Sequence, residues 1–428
     1  QFIEGNYKTA EPGLIFWSTM SDYSPSNYVG KPIICTNPCA EVPLEDGGAC
    51  NLGSINLSRF VNNGFTPEAS IDWDQLAEST ETLVRFLDNV VTWNEDLNAL
   101  EKQRKAAAET RRLGLGVMGI ADMLNQLGVA YDSEQGTIMI EKVMEYITNA
   151  SYQASSFIAK EKGPSSIFDE KSYMECPFVE EALSEQTHSM IRKHGLRNIA
   201  IMSIAPTGSI SNIVLGYKSE KKNYIGVSGG VEPIFSTFYT RRSESFGNKL
   251  FKVFHSTIQA YIDKVGIQEE VDKAEDVDDV LPEYLTRTAH KIDSIKRVGV
   301  QGVIQRYIDH SISSTINLPE DVEPETISDI YIKAWKHKLK GVTIYRDGSR
   351  FPILSVENKM TDFQEMKTKS FSIMQENGET MDMAGDDIFK LPDGKLTTMY
   401  HHLKKMKTES EDESTAKETV ASTEEMKV

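Results

Sequence analysis

TNPCAEVPLEDGGACNLGSIN, residues 36–56, holds two of the chain's four cysteines, Cys39 and Cys50, with Asn37 two positions before the first and Glu41 two positions after it. Pro38 and Pro43 flank Cys39. Proline donates no backbone hydrogen bond, so the segment reads as an irregular projection and not as a core strand. In an extended segment, residues two apart face the same side. The amide, the thiol and the carboxylate are therefore expected to present one surface, combining a sulfur, a proton acceptor and an orienting hydrogen-bond group. The competing reading is two buried cysteines on a loop beside a solvated glutamate, and spacing alone does not separate the two.

Around this stretch the chain alternates between strand and helix patterns. Residues 1–60 are loop-rich, punctuated by Pro12, Gly13, Pro25, Gly30 and Pro32. From Asp72, an expected N-cap, Trp73, Leu76, Leu83, Phe86, Leu87 and Val90 recur at helical spacing and predict one buried stripe. RRLGLGVMGIADMLNQLG (111–128) reads as a strand or glycine turn entering a short helix, and Ser133 to Lys162 as a long helix ending at Gly163. RNIAIMSIAPTGSISNIV (197–214) predicts a strand, a Pro-Thr-Gly-Ser turn and a following element, with Arg197 capping the preceding helix. Pro324 to Lys340 predicts a helix closed by Gly341, and VTIY (342–345) a strand. Strands alternating with helices point to an α/β fold with parallel pairing.

Sixty-four acidic against 46 basic residues leave a net charge of −18 on 428 residues, which argues against a nucleic-acid-coating role. No uncharged apolar run reaches the roughly 18 residues that a membrane span needs. Cysteines at 35, 39, 50 and 176 form neither a secreted disulfide framework nor paired zinc knuckles, so no metal site is expected and a reducing cytoplasm is the expected compartment. The opening IEGNYKTAEPGLIFW reads as the continuation of a folded element, which suggests a fragment or one half of a split protein. Residues 1–350 are expected to form the main domain and 351–405 a small extension. The Ser/Thr/Glu-rich stretch from 406 to 428 is expected to be a disordered tail.

Seven blocks in order carry a family resemblance: TNPCAE with CNLGSINL, then RLGLGVMGIADML, RNIAIMSIAPTGSIS, GGVEPIF, SSTINLPED and AWKHKLKGVTIYRDGSR. Together they resemble the catalytic barrel of ribonucleotide reductases, most closely the class II, adenosylcobalamin-dependent type, over roughly residues 1–350. The resemblance implies a ten-stranded α/β barrel of two parallel halves, its N-terminal strands missing here, with a central finger loop carrying Cys39 into an enclosed cavity within reach of a ribose. It implies reduction of ribonucleoside di- or triphosphates to deoxyribonucleotides. The position of Cys39 carries a thiyl radical that takes the 3′ hydrogen, Glu41 accepts the 3′-OH proton, Asn37 holds the sugar hydroxyls, and Cys50 is half of the reducing dithiol. Ala205, Pro206, Thr207, Gly208, Ser209, Ile210 and Ser211 match the substrate-phosphate loop. The implied cofactor is adenosylcobalamin, and the implied partners are a thioredoxin-like or dithiol reductant, a complementary N-terminal portion and a second copy of the chain.

Three departures accompany the match. Ala40 stands where the family usually has glycine, a change expected to be tolerated at negative φ. YKSEKKNY (217–224) reads as an inserted polar loop, and the tail carries no cysteine pair. A class I large subunit, which relays its radical through two adjacent tyrosines, is the alternative, but Ile344 precedes the single Tyr345 here. A non-catalytic nucleotide-binding half of a split reductase is the other.

Overall fold

The computed structural model describes residues 1–243, 249–350, 361–374 and 380–408. The chain divides into two compact units, one of residues 13–317 and 331–343, the other of residues 1–12, 318–330 and 344–428.

In the larger unit, strands β1 (Cys35–Thr36) and β2 (Pro43–Leu44) pair antiparallel as the arms of a short hairpin. Beyond it, β3 (Asn51–Asn56) leads into helix α1 (Trp73–Asn94). Asp72 caps α1 as expected, accepting from the Gln75 amide at 3.1 Å. The buried stripe is rotated from the expected one: Leu76, Thr80, Val84, Leu87, Asp88 and Val91 face inward, while Phe86 is 60 % exposed. Apolar spacing alone could not choose between Phe86 and Leu87, because both fit a helical repeat and only the surface packed against α1 distinguishes them.

Next come β4 (Leu113–Met118), α2 (Ile120–Gln126) and α3 (Glu134–Lys162). β4 is LGLGVM, buried at all six positions, as a central parallel strand covered on both faces must be. Its glycines permit close approach: a Cβ on Gly116 would come within 2.4 Å of the Ser203 carbonyl oxygen. Gly163 ends α3 as the sequence indicates, while Ser133 lies just outside the helix as its N-cap. Arg197 donates to the Gly163 carbonyl at 3.2 Å, so it closes α3 and not the helix that precedes it in sequence.

β3 runs parallel to β4 from Asn51 with Leu113 to Asn56 with Met118. Leu115 bridges in parallel to Met202, and Ile204 to Ile312, so the segment 201–204 continues the sheet. Residues 312–318 follow, ending in β5 (Thr315–Leu318). Helix α4 (Pro324–Lys336) stops earlier than expected, and Gly341 opens β6 (Gly341–Arg346) instead of capping the helix. The Thr343 amide bonds the Ser314 carbonyl at 3.1 Å, and Leu14 and Ile15 pair antiparallel with Val342 and Gly341. The outer edge of β3 has no ladder partner, and no closed barrel forms among the described residues. YKSEKKNY is not an open loop: it folds as the hairpin Leu215–Lys218 with Asn223–Ile225.

In the smaller unit, Tyr7 of helix Phe2–Thr9 is buried beneath the Arg346 guanidinium, 4.0 Å from its ring centre. Burial pushes the Tyr7 phenol up to about 12. The described part of the C-terminal extension holds the hairpins Ser370–Met374 with Thr380–Ala384 and Ile388–Lys390 with Leu396–Thr398. Residues 351–360 and 409–428 lie outside the described residues, whereas residues 406–408 of the expected disordered tail continue a helix. No described helix is long and apolar enough to cross a membrane.

Candidate active site

Cys39 sits at the turn between β1 and β2, so Asn37, Cys39 and Glu41 are not alternate residues of one extended strand as the spacing suggested. The turn is closed by backbone and side chain together. The Asn37 amide donates to the Val42 carbonyl at 3.1 Å, the Ala40 amide to the Asn37 carbonyl at 3.0 Å, and the Val42 amide to Asn37 Oδ1 at 3.0 Å. Asn37 thus spends its oxygen on the turn and keeps its Nδ2 donors outside any hydrogen bond among the described residues. Ala40 lies at φ 62°, not at the negative φ under which the alanine was expected to be tolerated. The left-handed region is where glycine is normally required.

The turn is pinned to the sheet through one carbonyl. Glu41 O accepts from Ser203 Oγ at 2.9 Å and from the Ser311 amide at 3.0 Å, joining the hairpin to two neighbouring sheet segments. Glu41 is 2 % exposed, and its Oε2 is buried with no partner among the described residues. A carboxylate oxygen in that position forfeits water without replacing it, a cost that is tolerated at functional sites. Cys39 is exposed, so the expected enclosure is absent among the described residues. The thiol sits at the tip of a short hairpin turn, where its neighbour Pro38 is exposed as well. Partial burial and the nearby Glu41 carboxylate both push the Cys39 thiol above its ordinary range.

Cys50, just ahead of β3, is half-buried as a residue, but its sulfur is packed in: a Cβ on Gly114 would lie 2.9 Å from Sγ. Burial pushes this thiol up to about 12. Arg112 opposes the rise, while Asp309, Glu41 and Glu45 add to it. Glu41 therefore lies within electrostatic reach of both sulfurs. Cys176 is buried, and Cys35 is exposed on β1.

The loop 205–211 leaves the sheet directly after the segment that carries Ser203, which places it beside the anchor of the hairpin. Thr207 adopts φ 53°, its Oγ1 accepts from the Gly230 amide at 2.8 Å, and its carbonyl accepts from the Ser211 amide at 2.9 Å. The amides of Gly208, Ser209 and Ile210 donate to no group among the described residues. Three consecutive free amides on an exposed turn are donors available to an anion. A full helix does not begin here; a single 3₁₀ turn, Ile210–Asn212, follows. An open groove of about 500 Å³ lined by Trp73, Tyr146, Lys142 and Glu81 contains none of these residues.

Residues 1–345 match the family described as ribonucleotide reductase, barrel domain. The chain belongs to the ribonucleotide reductase family. A vitamin B12-dependent ribonucleoside-diphosphate reductase of Thermoplasma acidophilum is 35 % identical over 361 residues, 81 % of this chain and 42 % of that protein. One of Mycobacterium tuberculosis is 32 % identical over 354 residues, 79 % of this chain and 45 % of that protein. The Actinobacillus ureae class Id ribonucleotide reductase alpha subunit superposes with TM-score 0.61 at 21 % identity, covering 81 % of this chain and 60 % of that one. The chain spans less than half the length of these curated relatives.

Sequence reasoning overlooked a buried charged cluster within electrostatic reach of Cys50. Arg112 donates to Glu45 Oε2 at 2.5 Å and lies 3.0 Å from His310 Nε2, and Thr110 Oγ1 donates to Glu45 Oε1 at 2.9 Å. The only sequence signal was the doubled arginine at 111–112 ahead of an apolar strand, a costly place for charge without a buried partner.

Proposed function

We propose that this chain carries the radical-bearing part of an adenosylcobalamin-dependent ribonucleotide reductase, which converts a ribonucleotide to its 2′-deoxyribonucleotide. The observation that carries the reading is Glu41: a buried, unpartnered carboxylate oxygen within electrostatic reach of two thiols, anchored beside a turn with three free amides. Cys39 holds its hydrogen because its thiol is raised, which suits a group that gives and takes hydrogen atoms. Glu41 accepts the 3′-OH proton, and the free Nδ2 of Asn37 bonds the sugar hydroxyls. Cys50 and a second thiol supply two electrons and end as a disulfide while the 2′-hydroxyl leaves as water. Gly208, Ser209 and Ile210 offer their amides to the substrate phosphates, with Ala205, Pro206, Thr207 and Ser211 shaping the turn.

Exposed Pro38 and Cys39 at the tip of the turn fit the approach of a bulky cofactor to the Cys39 sulfur. Bound adenosylcobalamin supplies an organic radical for hydrogen abstraction. The free edge of β3 supports completion of a ten-stranded barrel by pairing with further strands. A thioredoxin-like protein or small dithiol then resets the disulfide.

The test incubates the chain, alone and with the N-terminal part of the Thermoplasma relative, with a ribonucleoside diphosphate, adenosylcobalamin and dithiothreitol. Deoxyribonucleotide is expected from the wild type and none above background from Cys39→Ser. Undiminished product in Cys39→Ser overturns the reading.

A further inference from the structure

One guanidinium joins three parts of the site that are distant in sequence. Arg112 is 1 % exposed. Its Nη2 donates to Glu45, which lies between Cys39 and Cys50 in the chain, and its Nη1 lies against His310. His310 neighbours Ser311, whose amide holds the Glu41 carbonyl. Arginine has no acceptor atom, so His310 Nε2 must accept and its proton resides on Nδ1. Two residues beyond Arg112, Gly114 provides the space that the Cys50 sulfur fills. We propose that Arg112 is a positioning residue for the reducing thiol, gripping Glu45 and His310 so that its own positive charge stays within reach of Cys50.

The proposal rests on Cys50 being half of the reducing dithiol. Four charged groups act electrostatically on that sulfur: Arg112 from the start of β4, Asp309 from the segment ahead of β5, and Glu41 and Glu45 from the cysteine loop. Three of them disfavour a thiolate, as does burial, and Arg112 alone favours it. Thiol–disulfide exchange proceeds through the thiolate, so the charge that opposes burial governs how readily Cys50 can be reset. Glu45 works against this charge at Cys50, yet it also holds the guanidinium in place.

The readout is iodoacetamide labelling of the full chain between pH 7 and 10, followed cysteine by cysteine by peptide mass spectrometry. Exposed Cys35 and Cys39 serve as internal controls, and Cys176, 0 % exposed, reports unfolding. Arg112→Met is expected to slow Cys50 labelling about tenfold at pH 9 and to move its pH profile upward, with Cys35 and Cys39 unchanged. Arg112→Lys should recover most of the rate. An unchanged Cys50 profile in Arg112→Met overturns the proposal. Should that variant expose Cys176, Arg112→Gln decides, since it keeps a donor for Glu45 and His310 without the charge: slowed Cys50 labelling with Cys176 protected supports the proposal, and an unchanged Cys50 profile overturns it. If both variants expose Cys176, Arg112 is purely structural and the proposal falls. Labelling needs no turnover, so this result stands apart from the Cys39→Ser product test.

Discussion

Ala40 carries a methyl group in left-handed backbone, φ 62°, one residue after Cys39. That conformation costs an L-residue about 1–2 kcal/mol, and glycine gives back about 0.5–1 kcal/mol through its larger unfolded-state entropy. Ala40→Gly is therefore expected to raise stability by roughly 0.5 kcal/mol, measured as an upward shift of the urea midpoint at constant slope. A lowered midpoint would mean that the methyl makes a contact worth more than the strain. The sequence showed which residue types meet at this turn. It did not show that Asn37 Oδ1 is occupied by the Val42 amide while Glu41 Oε2 is left bare, because such partnerships depend on the hairpin closing. The chemistry was legible and its division among atoms was not.

Among the elements, α2 shows how one residue can tie a loop cluster together. Asp122 accepts from the Ser228 amide at 2.7 Å, from Ser228 Oγ at 2.8 Å and from His255 Nε2 at 2.8 Å, and it also accepts from Thr257 Oγ1. Burial by itself would raise this carboxyl, but His255, Thr257 and Ser228 outweigh it and hold it below the usual range. Asp122→Asn should cost about 3 kcal/mol by denaturant unfolding, since it removes the charge and forces an amide donor against groups that donate. A loss below about 0.5 kcal/mol would show that the cluster is held by packing alone. IADML gave no hint of this, because its partners lie more than a hundred residues downstream. Helix ends were easier to read. Asp72 caps where expected, and the helix expected to run from Ser133 begins one residue later with Ser133 as its cap, since a cap is a local hydrogen bond. The inward face of α1 was misread at Phe86, because that face is chosen by what packs against the helix.

Unfolding of the whole chain should register His310. Burial, with Arg112 and Lys340 adding to it, holds this imidazole well below its ordinary 6.5, so it is neutral in the folded protein. Below about pH 6.5 the unfolded chain takes up a proton that the folded one refuses, so this contribution to stability is whole above that pH and is lost on acidification. The slope approaches 1.4 kcal/mol per pH unit, and His310→Gln should flatten it between pH 6.5 and 5. Equal slopes in the two proteins would show that the imidazole is protonated in the fold.

From the residues alone came the α/β class, the family, the pairing of Cys39 with Glu41 and Asn37, and the phosphate-loop candidate. Each rests on local sequence or on ordered short motifs. The tertiary structure decided the free edge of β3, the anchoring of Glu41 on Ser203 and Ser311, the strain at Ala40 and the Arg112 bridge under Cys50. These join positions as far apart in sequence as Glu41 and Ser311, and no local pattern encodes them. A buried charge is settled by whichever partners the fold delivers to it.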